Sequence, residues 1–221
     1  MLSNLHNSFS SWDPKFSVNT DEVSKRLAIS GVLPQVVLDY QQAKAKEILS
    51  CCIQPGAIAS TRNVGLVVGK VQSGKTTSFT YLSSLAADNG YKIIIHLLGT
   101  TKNLVKDNAN AVNNTLETSN SSNHWLSMEF DSKFETDFPS KTMEETLYPR
   151  DSDLDFFAAK PEKVVYIYLI KNHNMIDRLT SYLEAFHLGL DDDKSPLPIL
   201  IIDDEVDSFS QDVGDGESDI T

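Results

Sequence analysis

The residues best suited to chemistry lie in a glycine-rich segment, GKVQSGKT, at positions 69–76. The segment matches the GxxxxGK[ST] pattern, in which glycines let backbone N–H groups surround a phosphate at the start of a helix. In such loops the lysine reaches the outer phosphates and the final hydroxyl faces Mg²⁺. We therefore predict that Lys75 binds phosphate and that Thr76 holds the metal. The predicted nucleotide-binding set is Gly69, Gln72, Ser73, Gly74, Lys75, Thr76 and Thr77.

A second chemical signal lies at 203–207, where acids follow the apolar run 199–202. Ligands of parallel sheets bind at the carboxyl ends of the strands. We predict that Asp204 holds Mg²⁺ and that Glu205 orients or deprotonates an attacking water. With Lys75, these two acids form the predicted catalytic set, and the expected ligands are ATP and Mg²⁺. For Asp203 and Asp207 two roles stay open, orienting the site and capping the next segment.

These residues need a parallel sheet to bring them together. The short apolar run 64–68 predicts a buried strand directly before the glycine-rich loop, and 77–88 predicts the helix after it. Asn89 and Gly90 end that helix, and the apolar run 91–98 predicts the next strand. This order is the β-α-β unit of a parallel sheet.

The same pattern continues to the acidic segment. We predict a helix at 101–116, a strand at 164–170, a helix at 175–186 and a strand at 199–202. The fold class is therefore α/β, a parallel sheet with helices on both faces.

Around this core we expect three further regions. Residues 1–60 form an N-terminal arm and a helical region, whose helix starts at Pro34 and is ended by Pro55 and Gly56. Residues 61–210 form the nucleotide-binding lobe, with a polar insertion at about 117–162. Residues 211–221 form a disordered tail.

Composition limits the classes of function. The 31 acidic residues outnumber the 19 lysines and arginines, for a formal net charge of -12, and the lysines are scattered. Such a surface is expected to bind DNA poorly. The two cysteines, Cys51 and Cys52, are adjacent and cannot form an ordinary disulfide, which is typical of a reducing cytoplasm. No apolar stretch approaches the twenty residues of a membrane span, so we expect no membrane association.

The motifs also resemble those of known ATPases. Residues 204–207, Asp-Glu-Val-Asp, are similar to the DExD box of superfamily 2 helicases. Three segments together resemble the bacterial Z-one domain family: the loop GKVQSGKT, the strand IIIHLL with the following GTTKNL, and IIDDE. Lys171 and Asn172 also look like a feature of that family. Its members are described as endonucleases with a helicase-like ATPase core, often encoded among phage-defence and restriction genes.

This resemblance implies an N-terminal RecA-like P-loop NTPase lobe that acts on DNA as part of a helicase-like or translocase-like protein. Superfamily 2 motors need a second RecA-like lobe to complete the nucleotide cleft, and only one is visible here. We therefore expect a second lobe or a partner subunit, and DNA binding only in the complete assembly. No nuclease site is apparent, since the nearest match, 192–194, lies in a polar loop.

Several interpretations stay open. Gln41 lies in a segment resembling the one in which superfamily 2 proteins read adenine with a glutamine, but it could equally be an exposed helix residue. A nucleotide-gated interaction module with little hydrolysis is one alternative function, although it has no use for Glu205. A P-loop kinase is another, against which the DExD-like box and the lack of an arginine-rich lid both count.

Overall fold

The computed structural model describes residues 12–31, 33–57, 64–67, 74–99, 101–118, 124–129, 162–188 and 197–204. Five helices are present in these ranges: α1 (Val18–Ser30), α2 (Gln35–Ser50), α3 (Lys75–Asp88), α4 (Lys102–Leu116) and α5 (His173–Leu188). The strands are β1 (Ile93–Leu97), β2 (Trp125–Glu129), β3 (Val164–Leu169) and β4 (Ile199–Asp203). The predicted tail, 211–221, lies outside the described residues.

The four described strands form one parallel sheet in the order β2-β3-β1-β4. Strand β1 is central. Its Ile93 lies opposite Val165 of β3 on one edge and Ile199 of β4 on the other. Because all pairs are parallel, the carboxyl ends of the strands meet at one edge, which is where ligands of such sheets bind.

Alternating side chains of β1 divide the core between two faces. Ile94 packs with buried side chains of α1, α2, α3 and α4. Ile93 and Ile95 face the other way and pack with Leu179 of α5. The predicted α/β fold, a parallel sheet covered by helices on both faces, is confirmed.

The predicted strand at 64–68 is wrong for its described part, 64–67, which forms no strand. Its apolar side chains face solvent, with Val64 89% exposed and Leu66 75% exposed. Both edges of β1 are paired, and β4 has only β1 beside it among the described strands. A short apolar run indicates a tendency to be buried but carries no information about a free partner edge.

Strand β2 lies inside the predicted polar insertion. It pairs with β3, and its Trp125 is buried in the larger core. Asn113 of α4 also holds this strand, since its Oδ1 accepts a hydrogen bond of 2.7 Å from Ser127 Oγ. The region therefore adds a strand to the sheet, which its polar composition did not predict.

The N-terminal arm is held by the far end of α3. Helix α1 makes no side-chain cap of its own at Ser17. Instead, the Asp88 carboxylate accepts hydrogen bonds from the backbone N–H groups of Ser17, Asn19 and Thr20 at 2.9–3.0 Å, and from Thr20 Oγ1 at 2.6 Å. A carboxylate from another helix thus satisfies the N-terminal donors of α1.

His96 connects α3 to the centre of the sheet. It lies on β1 and is fully buried. Its Nε2 is 3.0 Å from Ser83 Oγ of α3, and its Nδ1 is 3.1 Å from Tyr166 OH of β3. Burial lowers the pKa of His96 to about 3, so the ring is neutral. A neutral imidazole has one donor and one acceptor, and two hydroxyl groups can satisfy both.

The interaction of Asp88 with α1 predicts a loss of stability on truncation. Asp88→Ala should lower the free energy of unfolding by about 2 kcal/mol, because several buried or half-buried donors lose a charged acceptor. Urea denaturation measures this change. Asp107→Ala on the exposed face of α4 is the matched control and should change it by less than about 0.5 kcal/mol. Equal losses in the two variants would show that Asp88 does not hold the arm.

The burial of neutral His96 predicts a pH dependence. Below pH 6.5 an unfolded histidine gains a proton that the folded protein excludes down to about pH 3, so stability falls with falling pH in this range. From pH 7.5 to 5.5 this histidine alone should cost about 1.4 kcal/mol. Urea denaturation of wild type and His96→Gln at both pH values isolates the contribution of His96 to the pH dependence of the free energy of unfolding. The same pH-dependent loss in both proteins would contradict a buried neutral histidine.

Candidate functional site

The site begins where the glycine-rich loop enters α3. Gly74 has φ 78°, in the left-handed region that favours glycine. A Cβ at this position would lie 3.5 Å from Gln41 Nε2. From Lys75 onward the backbone is helical, and Ser78 N donates to Gly74 O at 3.0 Å. The first N–H groups of α3 therefore point toward the carboxyl edge of the sheet with partial positive charge.

The acidic strand end lies at the same place. Backbone N–H of Asp204 donates to Leu97 O of β1 at 3.1 Å, which ties the end of β4 to the central strand. Asp204 Oδ1 is 3.7 Å from Lys75 Nζ. The lysine side chain is 46% exposed and the aspartate side chain 14%. The structure thus brings together the lysine of the loop and an aspartate of the acidic segment.

The other predicted site residues divide into two groups. Thr76 and Thr77 are half-buried in the first turn of α3. The Thr76 backbone carbonyl accepts a hydrogen bond of 2.8 Å from Thr80 Oγ1. This bond does not involve the Thr76 hydroxyl. The remaining predicted residues lie outside the described residues: Gly69, Gln72, Ser73, Glu205 and Asp207.

Gln41 lies beside the start of α3 and not on an exposed helix face. Its side chain is on α2, and the residue is 5% exposed. Its Oε1 accepts a hydrogen bond from Ser78 Oγ of α3, while its Nε2 faces Gly74. The interpretation of Gln41 as a plain exposed residue is therefore wrong. Its predicted contact with adenine stays a prediction, and the observed contacts connect α2 to the start of α3.

A second ion pair lies beside the first and was not predicted. Lys171 lies two residues after the end of β3 and is 4% exposed. Its Nζ is 2.9 Å from Asp203 Oδ1 of β4. Sequence reasoning noted Lys171 only through the family resemblance and left the role of Asp203 open. The available signal was a lysine immediately after an apolar strand, at the end of the sheet where ligands bind.

The turn after β1 forms the remaining part of this edge. Gly99 has φ 59°, and a Cβ there would lie 2.6 Å from Leu104 Cδ2. Thr101 then caps α4, with its side chain accepting from Leu104 N at 3.4 Å. The chain needs glycine here because α4 starts close against the end of β1.

The donor set suits magnesium. The Thr76 hydroxyl and the Asp204 carboxylate are hard oxygen donors at one edge of the sheet, beside the lysine expected to bind phosphate. Within the described ranges, no three or more His, Cys, Asp or Glu side chains are grouped so that they could hold a metal ion. Mg²⁺ commonly takes only one or two protein oxygens and completes its shell with substrate phosphates and water, so the two oxygens fit it.

Comparisons with protein-family models, with curated proteins and with solved structures find no match to this chain. Among the helices of the described residues, none has the length and apolar character of a membrane span.

Proposed function

We propose that this chain is the ATP-binding and ATP-hydrolysing lobe of a helicase-like or translocase-like protein, with a RecA-like P-loop NTPase fold. One observation carries the proposal. The lysine of a GxxxxGK[ST] segment begins a helix beside a parallel sheet, and its Nζ lies 3.7 Å from Asp204 at the carboxyl end of β4. A phosphate-binding lysine and a metal-binding carboxylate need this proximity to hold Mg²⁺-ATP between them.

Each residue has a distinct role in this proposal. The backbone N–H groups at the start of α3, with Gly69, Gln72 and Ser73, surround the phosphates. Lys75 binds the outer phosphates, which requires it to exchange its contact with Asp204 for the nucleotide. Thr76 and Asp204 hold Mg²⁺, which supplies neutralisation of phosphate charge when bound. Glu205 orients or deprotonates the attacking water, and Gln41 contacts the adenine.

The wider assignment is supported by the sequence resemblance to superfamily 2 helicases and the Z-one domain family. It implies a cytoplasmic protein in phage defence or restriction. A second RecA-like lobe or a partner subunit completes the nucleotide cleft, and DNA binds to that complete assembly. The net charge of -12 supports this division, because weak counterion release leaves the described lobe little affinity for duplex DNA.

The proposal predicts that Mg²⁺-ATP stabilises the folded chain. At a hundredfold excess over its Kd, a ligand that binds only the folded state adds about 2.7 kcal/mol to the free energy of unfolding. Lys75→Ala should remove most of the resulting increase in Tm, since the outer phosphates lose their cation. Without nucleotide the Tm should stay nearly constant, because the half-exposed pair with Asp204 contributes little.

The matched control is Lys102→Ala. Lys102 is also the exposed first residue of a helix that follows the carboxyl edge of the sheet, but in α4. Thermal melts with and without Mg²⁺-ATP compare the three proteins. A nucleotide-dependent increase in Tm that is equal in wild type and Lys75→Ala would refute the phosphate-binding role of the loop.

The two acids predict different defects. Glu205→Gln should leave ATP binding within about twofold and lower the steady-state rate of phosphate release by about 100-fold or more, since an amide cannot accept the proton. Asp204→Asn should weaken binding in the presence of Mg²⁺ and leave binding in EDTA nearly unchanged. Asp107→Asn is the control and should alter neither quantity. If Glu205→Gln instead weakened binding in Mg²⁺ and Asp204→Asn lowered only the rate, the roles assigned within the acidic segment would be one residue out of register.

A further inference from the structure

A buried lysine stands at the carboxyl edge of the sheet. Lys171 is 4% exposed, and lysines are rarely buried to this extent unless paired. It lies two residues after the end of β3, while its partner Asp203 is the last residue of β4. Their charged atoms are 2.9 Å apart. The ion pair therefore joins two strands that are not neighbours, since β1 lies between them.

The backbone around this pair is tied to the same central strand from both sides. Lys171 N donates to Gly99 O at 2.9 Å, and Asp204 N donates to Leu97 O at 3.1 Å. Neighbouring strands are about 4.8 Å apart, so β3 and β4 are separated by about twice that distance. The side chains of Lys171 and Asp203 span this gap and close over the end of β1.

The two consecutive aspartates therefore have different cations. Successive side chains of a strand point in opposite directions, and here Asp203 pairs with Lys171 while Asp204 faces Lys75. Without Lys171, the Asp203 carboxylate would be left partly buried without its cation, and the end of β4 would lose this link across β1. Lys171 thus neutralises one carboxylate and leaves the other directed at the candidate nucleotide site.

We infer that Lys171 is a positioning residue for the metal site: its ion pair with Asp203 fixes the end of β4, so that Asp204, on the opposite side of the strand, keeps the direction in which it receives Mg²⁺. This inference rests on the proposed function, since it assigns a support to the metal-holding residue of that site. Lys171 touches neither nucleotide nor metal. It acts through the direction of the β4 end, as residues behind metal ligands commonly do.

The test measures how strongly Mg²⁺ promotes nucleotide binding. The Kd of a fluorescent ATP analogue is determined in Mg²⁺ and in EDTA. The Kd in EDTA divided by the Kd in Mg²⁺ is the ratio compared between variants, and it falls when Mg²⁺ promotes binding less. Lys171→Met should reduce this ratio by about 10-fold or more while leaving the Kd in EDTA within about twofold of wild type. Lys171→Arg retains the positive charge and should restore most of the ratio. Lys106→Met, at an exposed position of α4, is the control.

A general loss of folding would lower both affinities together, so the ratio separates positioning from structure. If Lys171→Met is unfolded at the assay temperature, the same ratio is measured in Asp203→Asn. That variant removes the other charge of the ion pair and should lower the ratio as Lys171→Met does.

The outcomes separate the two proposals. Nucleotide binding by wild type with an unchanged ratio in folded Lys171→Met would overturn the positioning role and leave the proposed function standing. A ratio that falls in Lys171→Met but is not restored by Lys171→Arg would also overturn it, because the charge would not be responsible. A wild-type ratio in folded Asp203→Asn would overturn it as well, because the ion pair would not be needed to direct Asp204. If wild type binds the nucleotide neither in Mg²⁺ nor in EDTA, both the proposed function and the inference are refuted.

Discussion

The enclosure of α3 is the constraint on which the rest of the structure depends. This helix packs against α1, α2, α4 and one face of the sheet, and its residues from Thr80 to Ala86 are all buried. Polar groups in such a position must find partners within the protein, since an unpaired buried donor or acceptor is costly. Ser83 finds one in His96, and Thr80 finds one in the Thr76 carbonyl. The Thr80 bond lies within α3, whereas the Ser83 bond to His96 ties the helix to β1.

Because α3 is held along its length, its two ends have separate functions. The C-terminal end carries Asp88, which organises the start of α1. The N-terminal end carries Gly74 and Lys75, which reach the carboxyl edge of the sheet where β4 ends in Asp203. The buried middle of the helix therefore sets the distance between the candidate phosphate site and the acidic strand end. Precise positioning of this kind favours sites built on rigid elements over sites built on loops.

Charge at that edge is arranged in pairs. Two lysines from different elements face two consecutive aspartates, one pair buried and one half-exposed. A buried pair is costly to break, whereas a half-exposed pair contributes little to stability. Under the proposed function, this contrast lets Lys75 leave Asp204 for the nucleotide while Lys171 stays paired with Asp203.

Local sequence patterns were sufficient for much of this protein. Apolar periodicity and helix-ending residues located α2, α3, α4, β1, β3 and β4 to within a few residues, because these signals act over a few positions of the chain. The glycine-rich loop and the acidic segment also predicted Lys75 and Asp204 as site residues, and the structure places their charged atoms 3.7 Å apart. Their proximity was predicted only from the rule that the carboxyl ends of parallel strands lie at one edge of a sheet.

The pairings between distant segments could not be obtained in this way. Strand β2 joins the sheet although its surroundings are polar, while the apolar segment 64–67 stays outside it, because pairing depends on contacts between distant segments and not on local composition. The contacts of Asp88 with α1 and of Lys171 with Asp203 link residues far apart in the chain. A carboxylate or a lysine carries no local mark of its partner, so the fold alone determines whether its charge is solvated, capping or buried in a pair.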